Sequence, residues 1–191
     1  RAISPTEGAM FVHFEDGTIH ILPHPGDEPD LSYFIPLNLR QWSPRGAAVG
    51  HFTVQPVPGG LIWLSRDGFY FANPLVLENV SSQVAPEFLN LNSARGKYAC
   101  SLYDGTRRVY RCWLSRGDKR LNEECFVYFS DNGSWWLDNL HADAAGILYD
   151  AKENPHFCFL VENGVLNELD ETLDYDGDGS GTLSGTVATP G

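Results

Sequence analysis

Leu61-Ile-Trp-Leu-Ser-Arg-Asp-Gly-Phe-Tyr-Phe71 is the stretch on which the fold turns. Two short apolar and aromatic runs flank a Ser-Arg-Asp-Gly turn. Asp-Gly between such runs is among the strongest short hairpin signals, because Gly supplies the positive φ that a tight connection between antiparallel strands demands. Working outward, the figure recurs. Met10–Phe14 passes through Glu15-Asp16-Gly17-Thr18 into Ile19–Leu22, and Tyr98–Tyr103 passes through Asp104-Gly105-Thr106-Arg107 into Arg108–Leu114. Cys125–Phe129 passes through Ser130-Asp131-Asn132-Gly133 into Ser134–Leu137, and a looser copy joins Phe157–Val161 to Val165-Leu166 through Glu162-Asn163-Gly164.

The turn glycines are spaced by 51, 37, 28 and 31 residues, a quasi-repeat of supersecondary units rather than a strict sequence repeat. Propeller blades are four-stranded antiparallel sheets of roughly 40–50 residues. Four to five hairpins therefore make about three to four blades, too few for a comfortable closed ring. The expectation is an all-β chain of antiparallel hairpins arranged as a partial β-propeller. Residues 1–191 would form a single propeller-like domain, completed by more of a larger chain or by neighbouring chains. A β-sandwich with long connections is the structural rival.

Composition agrees with strands. Eleven Phe, eight Tyr and five Trp stand against a single Met, and flat rings pack well on a pleated surface. Nineteen Gly and twelve Pro supply turns. Helical signals are weak: one short turn over Ser81–Phe88, limited by Pro86, and a brief Leu140–Ala145. The Pro-rich connection from Pro23 to Gly60 shows few clean strands and reads as linkage between blades or a surface loop. No apolar run approaches the roughly 20 residues that span a bilayer, and no basic-then-apolar leader is visible. The chain opens on Arg1 rather than Met, which suggests a processed product or a piece of a longer polypeptide.

The net charge of −12 argues against whole-surface attraction for nucleic acid. Charge is segregated along the chain. Residues 95–120 carry a local balance of +6, and the stretch from Glu153 to the end carries −8 with no Lys or Arg. Two solvated faces, or two blades that neutralise each other, explain this; so does one polar surface docking on a neighbouring subunit. The four cysteines (Cys100, Cys112, Cys125, Cys158) have no metal-ligand spacing and read as buried free thiols in a reducing compartment, with a Cys100–Cys112 disulfide across a hairpin as the alternative.

The sharpest chemical candidate is Asp174-Tyr-Asp-Gly-Asp-Gly-Ser-Gly-Thr182. Asp174, Asp176 and Asp178 stand at positions 1, 3 and 5 of a calcium loop, followed by Gly179 for the sharp bend. The back half departs, with Gly181 at position 8 and Gly185 where a bidentate Glu belongs. A plain acidic, Gly-rich turn is the competing reading, and no other cofactor is expected. His20 and His24 have the spacing of helical metal ligands, but Pro23 and the strand context defeat the helix. No G-x-S-x-G elbow is present, and no two carboxylates stand out as a glycosidase pair. Trp135-Trp136 invites a sugar-stacking reading, yet neighbours in a strand point to opposite sides, so at most one is free and the other packs in the core. Asn79-Val-Ser and Asn132-Gly-Ser match a glycosylation sequon short enough to arise by chance.

The order of these units resembles a known family. The hairpin Phe11–Leu22, the Pro-rich stretch, the unit Leu61–Phe71, Val80–Ser82, the basic Tyr-rich hairpin Tyr98–Leu114, the unit Cys125–Trp136 and the acidic Asp174–Gly179 follow one another. Together they look like the propeller region of tail-tube or nozzle virion proteins at the neck and tail of short-tailed bacteriophages. There a strand ending Val-Tyr-Asp precedes a turn and a Trp, as in Val127-Tyr-Phe-Ser-Asp-Asn-Gly-Ser-Trp135, with Phe129 in place of the Asp. The resemblance spans residues 8–190 and rests on order and texture. It implies a non-enzymatic structural virion component, assembled in the host cytoplasm. Its partners would be copies of itself and adjacent tail and neck proteins, with DNA passing nearby without specific binding. A carbohydrate-binding or carbohydrate-cleaving propeller is the alternative function.

Overall fold

A computed structural model describes residues 2–6, 9–23, 40–82, 84, 90–161 and 164–169. Among the described residues the chain is all-β, in four antiparallel sheets, each made of strands consecutive in sequence. The first sheet holds β1 (Ala2–Thr6), β2 (Ala9–His13), β3 (Ile19–Pro23) and β4 (Arg40–Ser43). The second holds β5 (Gln55–Val57), β6 (Gly60–Ser65), β7 (Gly68–Asn73) and β8 (Val76–Asn79). The third holds β9 (Cys100–Asp104), β10 (Val109–Leu114), β11 (Glu124–Phe129) and β12 (Ser134–Asp138). The fourth has three strands, β13 (Ala144–Tyr149), β14 (Pro155–Leu160) and β15 (Leu166–Glu168). Single 3-10 turns at His51–Thr53 and Gly96–Tyr98 lie in the connections.

The sheets stack in chain order, and the strand pleat shows how. In β6, Leu61 and Trp63 face Phe11, Ile19 and Ile21 of the first sheet, whereas Ile62 and Leu64 face Tyr110, Cys112 and Phe126 of the third. In β10, Tyr110 and Cys112 point back to the second sheet, whereas Val109 and Trp113 meet Phe157 and Phe159 of the fourth. Both central sheets are therefore buried on two faces. This is why β6 and β10 are buried along almost their whole length rather than alternately, with Arg111 the charged exception among the apolar residues of β10. Among the described residues the first sheet is covered on one face, and β2 accordingly alternates between buried and half-buried residues. At their first strands successive sheets come close, β5 beside β9 and β9 beside β13.

Aromatic rings fill the gaps between sheets. Trp63 donates its indole N–H to Gly46 O at 2.6 Å and meets His13 edge-on. Phe69 stacks on Trp135, whose indole N–H reaches Val80 O at 2.8 Å, and Trp113 stacks on Phe159. Tyr110 is fully buried and donates to Thr53 O at 2.8 Å, tying the third sheet to the turn before the second.

The hairpins expected from sequence all form, with one change in turn chemistry. Gly17, Gly68, Gly133 and Gly164 adopt positive φ, but Gly105 does not. In the four-residue loop 105–108 the left-handed position falls on Arg108, at φ 54. Asp104 holds the start of that loop through its carboxylate, which accepts from Thr106 N and Arg107 N.

Further corrections concern segments without strong local signals. The Pro23–Gly60 connection contains β4 and β5 among its described residues. Leu140–Ala145 forms no helix: it runs into β13, which pairs with β14 as a hairpin closed by the loop 150–154. Ser81 opens a turn, with Val84 N bonded to its carbonyl and its hydroxyl serving Phe69 N and Asn79, while residues 83 and 85–89 of the expected Ser81–Phe88 turn lie outside the described residues. All four cysteines are free and buried. Cys100 pairs in register with Trp113, so Cys112 points to the opposite face of the sheet and cannot bridge to it.

Candidate functional site

The antiparallel order of the second and third sheets brings the turns 58–59, 105–108 and 130–133 to one end of the stack. There the two sheets part to leave a cleft of about 300 Å³. Its walls are apolar and aromatic: Ile62 and Phe71 come from the second sheet, and Tyr103, Tyr110 and Tyr128 from the third. These are the residues of one pleat face on each sheet, so the same alternation that builds the core also paves the cleft. The rim is polar, with Glu78 on one side and Arg108, Ser130 and Asp131 on the other.

Arg108 organises that rim. Its guanidinium Nη1 lies 2.9 Å from Asp131 Oδ1, both groups being well exposed. Its carbonyl accepts from Ser130 N at 3.0 Å and from Ser130 Oγ at 2.8 Å. The two turns of the third sheet are thereby locked together. Burial raises the Tyr128 phenol above its ordinary value, and the nearby Glu78 carboxylate adds to the effect. Tyr103 is buried beside the cleft, and its hydroxyl has no hydrogen-bond partner among the described residues. The cleft offers flat rings together with mixed donors and acceptors, which suits binding of a small polar ring.

A second polar cluster lies on the outer face of the fourth sheet. His156 Nδ1 is 2.6 Å from Glu168 Oε1, and Asp150 Oδ2 is 3.8 Å from the other ring nitrogen. The Glu168 hydrogen bond raises the imidazole pKa, and its charge and that of Asp150 add to it. Asp150 is meanwhile held down by Asn154, which donates from both side chain and backbone. Among the described residues no group of three or more His, Cys, Asp or Glu is placed to hold a metal ion.

Asp174, Asp176 and Asp178, the calcium candidates, lie outside the described residues, as does His24. His20 is described and lies against the Phe14 ring. Of the tryptophan pair, Trp135 packs in the core and Trp136 is half exposed, as the strand alternation requires. Both sequon asparagines build turns: Asn79 Oδ1 accepts from Ser81 N and Oγ, and Asn132 Oδ1 accepts from Ser134 N and Oγ.

The basic stretch 95–120 does not form one face. Arg107 and Arg108 sit at the turn between β9 and β10, whereas Arg95, Lys97, Arg116, Lys119 and Arg120 flank the opposite ends of those strands. Acidic partners also sit among them, Arg116 with Glu124 at 2.6 Å and Lys119 with Glu123 at 2.8 Å. Arg95 and Lys97 both lie over the half-exposed Tyr98 ring. The cleft was not legible in sequence, because Ile62, Phe71, Glu78, Tyr103, Tyr110 and Tyr128 come from six separate strands and the rest of its rim from the two turns 105–108 and 130–133. The nearest local signal was the excess of Tyr in Tyr98–Leu114. No known protein family and no curated protein matches this chain.

Proposed function

We propose that the chain is a propeller-type structural part of a tailed-bacteriophage virion, docking to neighbouring subunits around the DNA conduit. The observation that carries this reading is the open stack: four consecutive meander sheets packed face to face, with the first strands of the last three side by side. Propeller blades are likewise consecutive antiparallel meanders set side by side, which supports the reading. A row of this kind has two end sheets whose outer faces call for further sheets or further copies. On the first sheet that face includes Ile3, 57% exposed, opposite Val12; on the fourth it includes Leu148, 51% exposed, opposite His156. The order and texture of residues 8–190 support the virion assignment, and the net charge of −12 suits a surface past which DNA slides rather than sticks.

Two measurements test it. Particles purified from the source of the gene should contain peptides of this chain, and antibodies against it should label one end of the tail. Electron micrographs of the purified protein should show several copies around an axis. A protein that stays monomeric and is missing from purified particles sinks the reading. The aromatic cleft favours a second reading, a carbohydrate-binding module, and a sugar array reports on that independently.

A further inference from the structure

Two loops of the third sheet make an internal comparison. Loops 105–108 and 130–133 each have four residues between paired strand ends, and in each the last residue is left-handed. Gly133, at φ 70, takes that position in the second loop, as its freedom from a Cβ would predict. Arg108 takes it in the first, at φ 54, where a β-carbon costs about 1 kcal/mol. The hydrogen bonds that lock the turns use the Arg108 carbonyl, which any residue would supply. What an arginine adds there is a guanidinium on the rim of the cleft, steered by Asp131.

The chemistry of the cleft narrows its occupant. A volume of about 300 Å³ lies at the small end of ligand pockets and accommodates a single six-membered ring with substituents. Phe71 and Tyr128 line the cleft, and aromatic rings suit packing against the C–H face of such a ring. Two carboxylates and one guanidinium stand at the rim, so an anionic ligand meets net repulsion. The paired Arg108 and Asp131, with Ser130 and Glu78, offer donors and acceptors together, which matches a set of vicinal hydroxyls. We infer that the cleft between the second and third sheets binds one neutral hexopyranose unit of a glycan, with Arg108 and Glu78 fixing its orientation. This rests on the cleft alone and holds whether or not the chain belongs to a virion.

Saturation-transfer NMR on the full chain tests it, with methyl glycosides of glucose, galactose, mannose and N-acetylglucosamine as probes at millimolar concentration. Sialic acid and choline serve as the anionic and cationic comparisons. At least one neutral glycoside should receive saturation. Arg108→Gly should weaken its binding about tenfold while leaving the melting temperature unchanged or higher, because glycine relieves the left-handed backbone. Glu78→Ala, an exposed change in β8, should weaken binding without unfolding the protein. No transfer to any neutral glycoside overturns the inference. So does stronger transfer to sialic acid or choline, and so does neutral-sugar binding that both variants leave intact.

Discussion

Acidification should weaken this fold through His13. It is 1% exposed, and its Nδ1 accepts a hydrogen bond from Ala48 N at 3.2 Å. The ring proton of the neutral form therefore sits on Nε2, which is buried with no partner among the described residues. A second proton would place an N–H against the Ala48 N–H and a charge beside the Trp63 ring edge. Burial holds the imidazole down at about 4, against 6.5 for the free side chain. Below pH 6.5 the unfolded chain binds a proton that the native state refuses, so stability is whole above 6.5 and falls as the pH descends towards 4. The full loss is about 3 kcal/mol, and the part spent between pH 7 and pH 5.5 is about 1.2 kcal/mol. The upper limb is the one to measure, because the isoelectric point near 4.7 invites precipitation lower down.

The assay is urea unfolding followed by tryptophan fluorescence at pH 7 and at pH 5.5, on the native chain and on His13→Asn. Asparagine keeps an acceptor for Ala48 N and removes the titration. The variant will be less stable at both pH values, since it loses the ring contact with Trp63. The difference between the two proteins should nevertheless shrink by about 1.2 kcal/mol on going to pH 5.5. His156, whose raised pKa acts in the opposite sense, is common to both and cancels. Parallel pH dependences for the two proteins would refute the reasoning, as would an NMR titration placing the His13 midpoint near 6.5.

Other changes should report on close packing and pairing. Gly68→Ala should cost several kcal/mol, about 3 in urea melts, because φ is 146 there and a Cβ would lie 2.4 Å from Ser81 Oγ. Tyr110→Phe should cost about 1–2 kcal/mol by stranding Thr53 O, whereas Tyr103→Phe, which removes an unpaired buried hydroxyl, should be neutral or stabilising. Equal losses in those two variants would contradict the hydrogen-bond assignment. Thiol reagents at pH 8 should spare Cys100, Cys112 and Cys125 in the native protein, since burial pushes all three thiols up, Cys100 to about 12. Cys158, on the outer face of the fourth sheet, should react first; prompt modification of Cys112 would contradict the stacking.

Much of this fold was legible because its signals are local. A turn such as Ser65–Gly68 is specified by the residues that make it, and the runs Leu61–Leu64 and Val109–Leu114 that flank such turns read as hairpin strands. The same alternation separates Trp135 from Trp136 without any coordinates. What lacks a local signal was missed: β13 is Ala- and Gly-bearing and mostly exposed, and only its pairing with β14 makes it a strand.

The sequence alone thus determined the class, the hairpins and the faces within each strand, since backbone sterics and side-chain period act over a few residues. Only the tertiary structure decided which face meets which sheet. That choice depends on register and stacking between residues tens of positions apart. It separates Cys100 from Cys112, splits the basic stretch between two ends and buries His13 against Trp63. It also gathers Phe71, Tyr128, Glu78 and a strained Arg108 around one cleft.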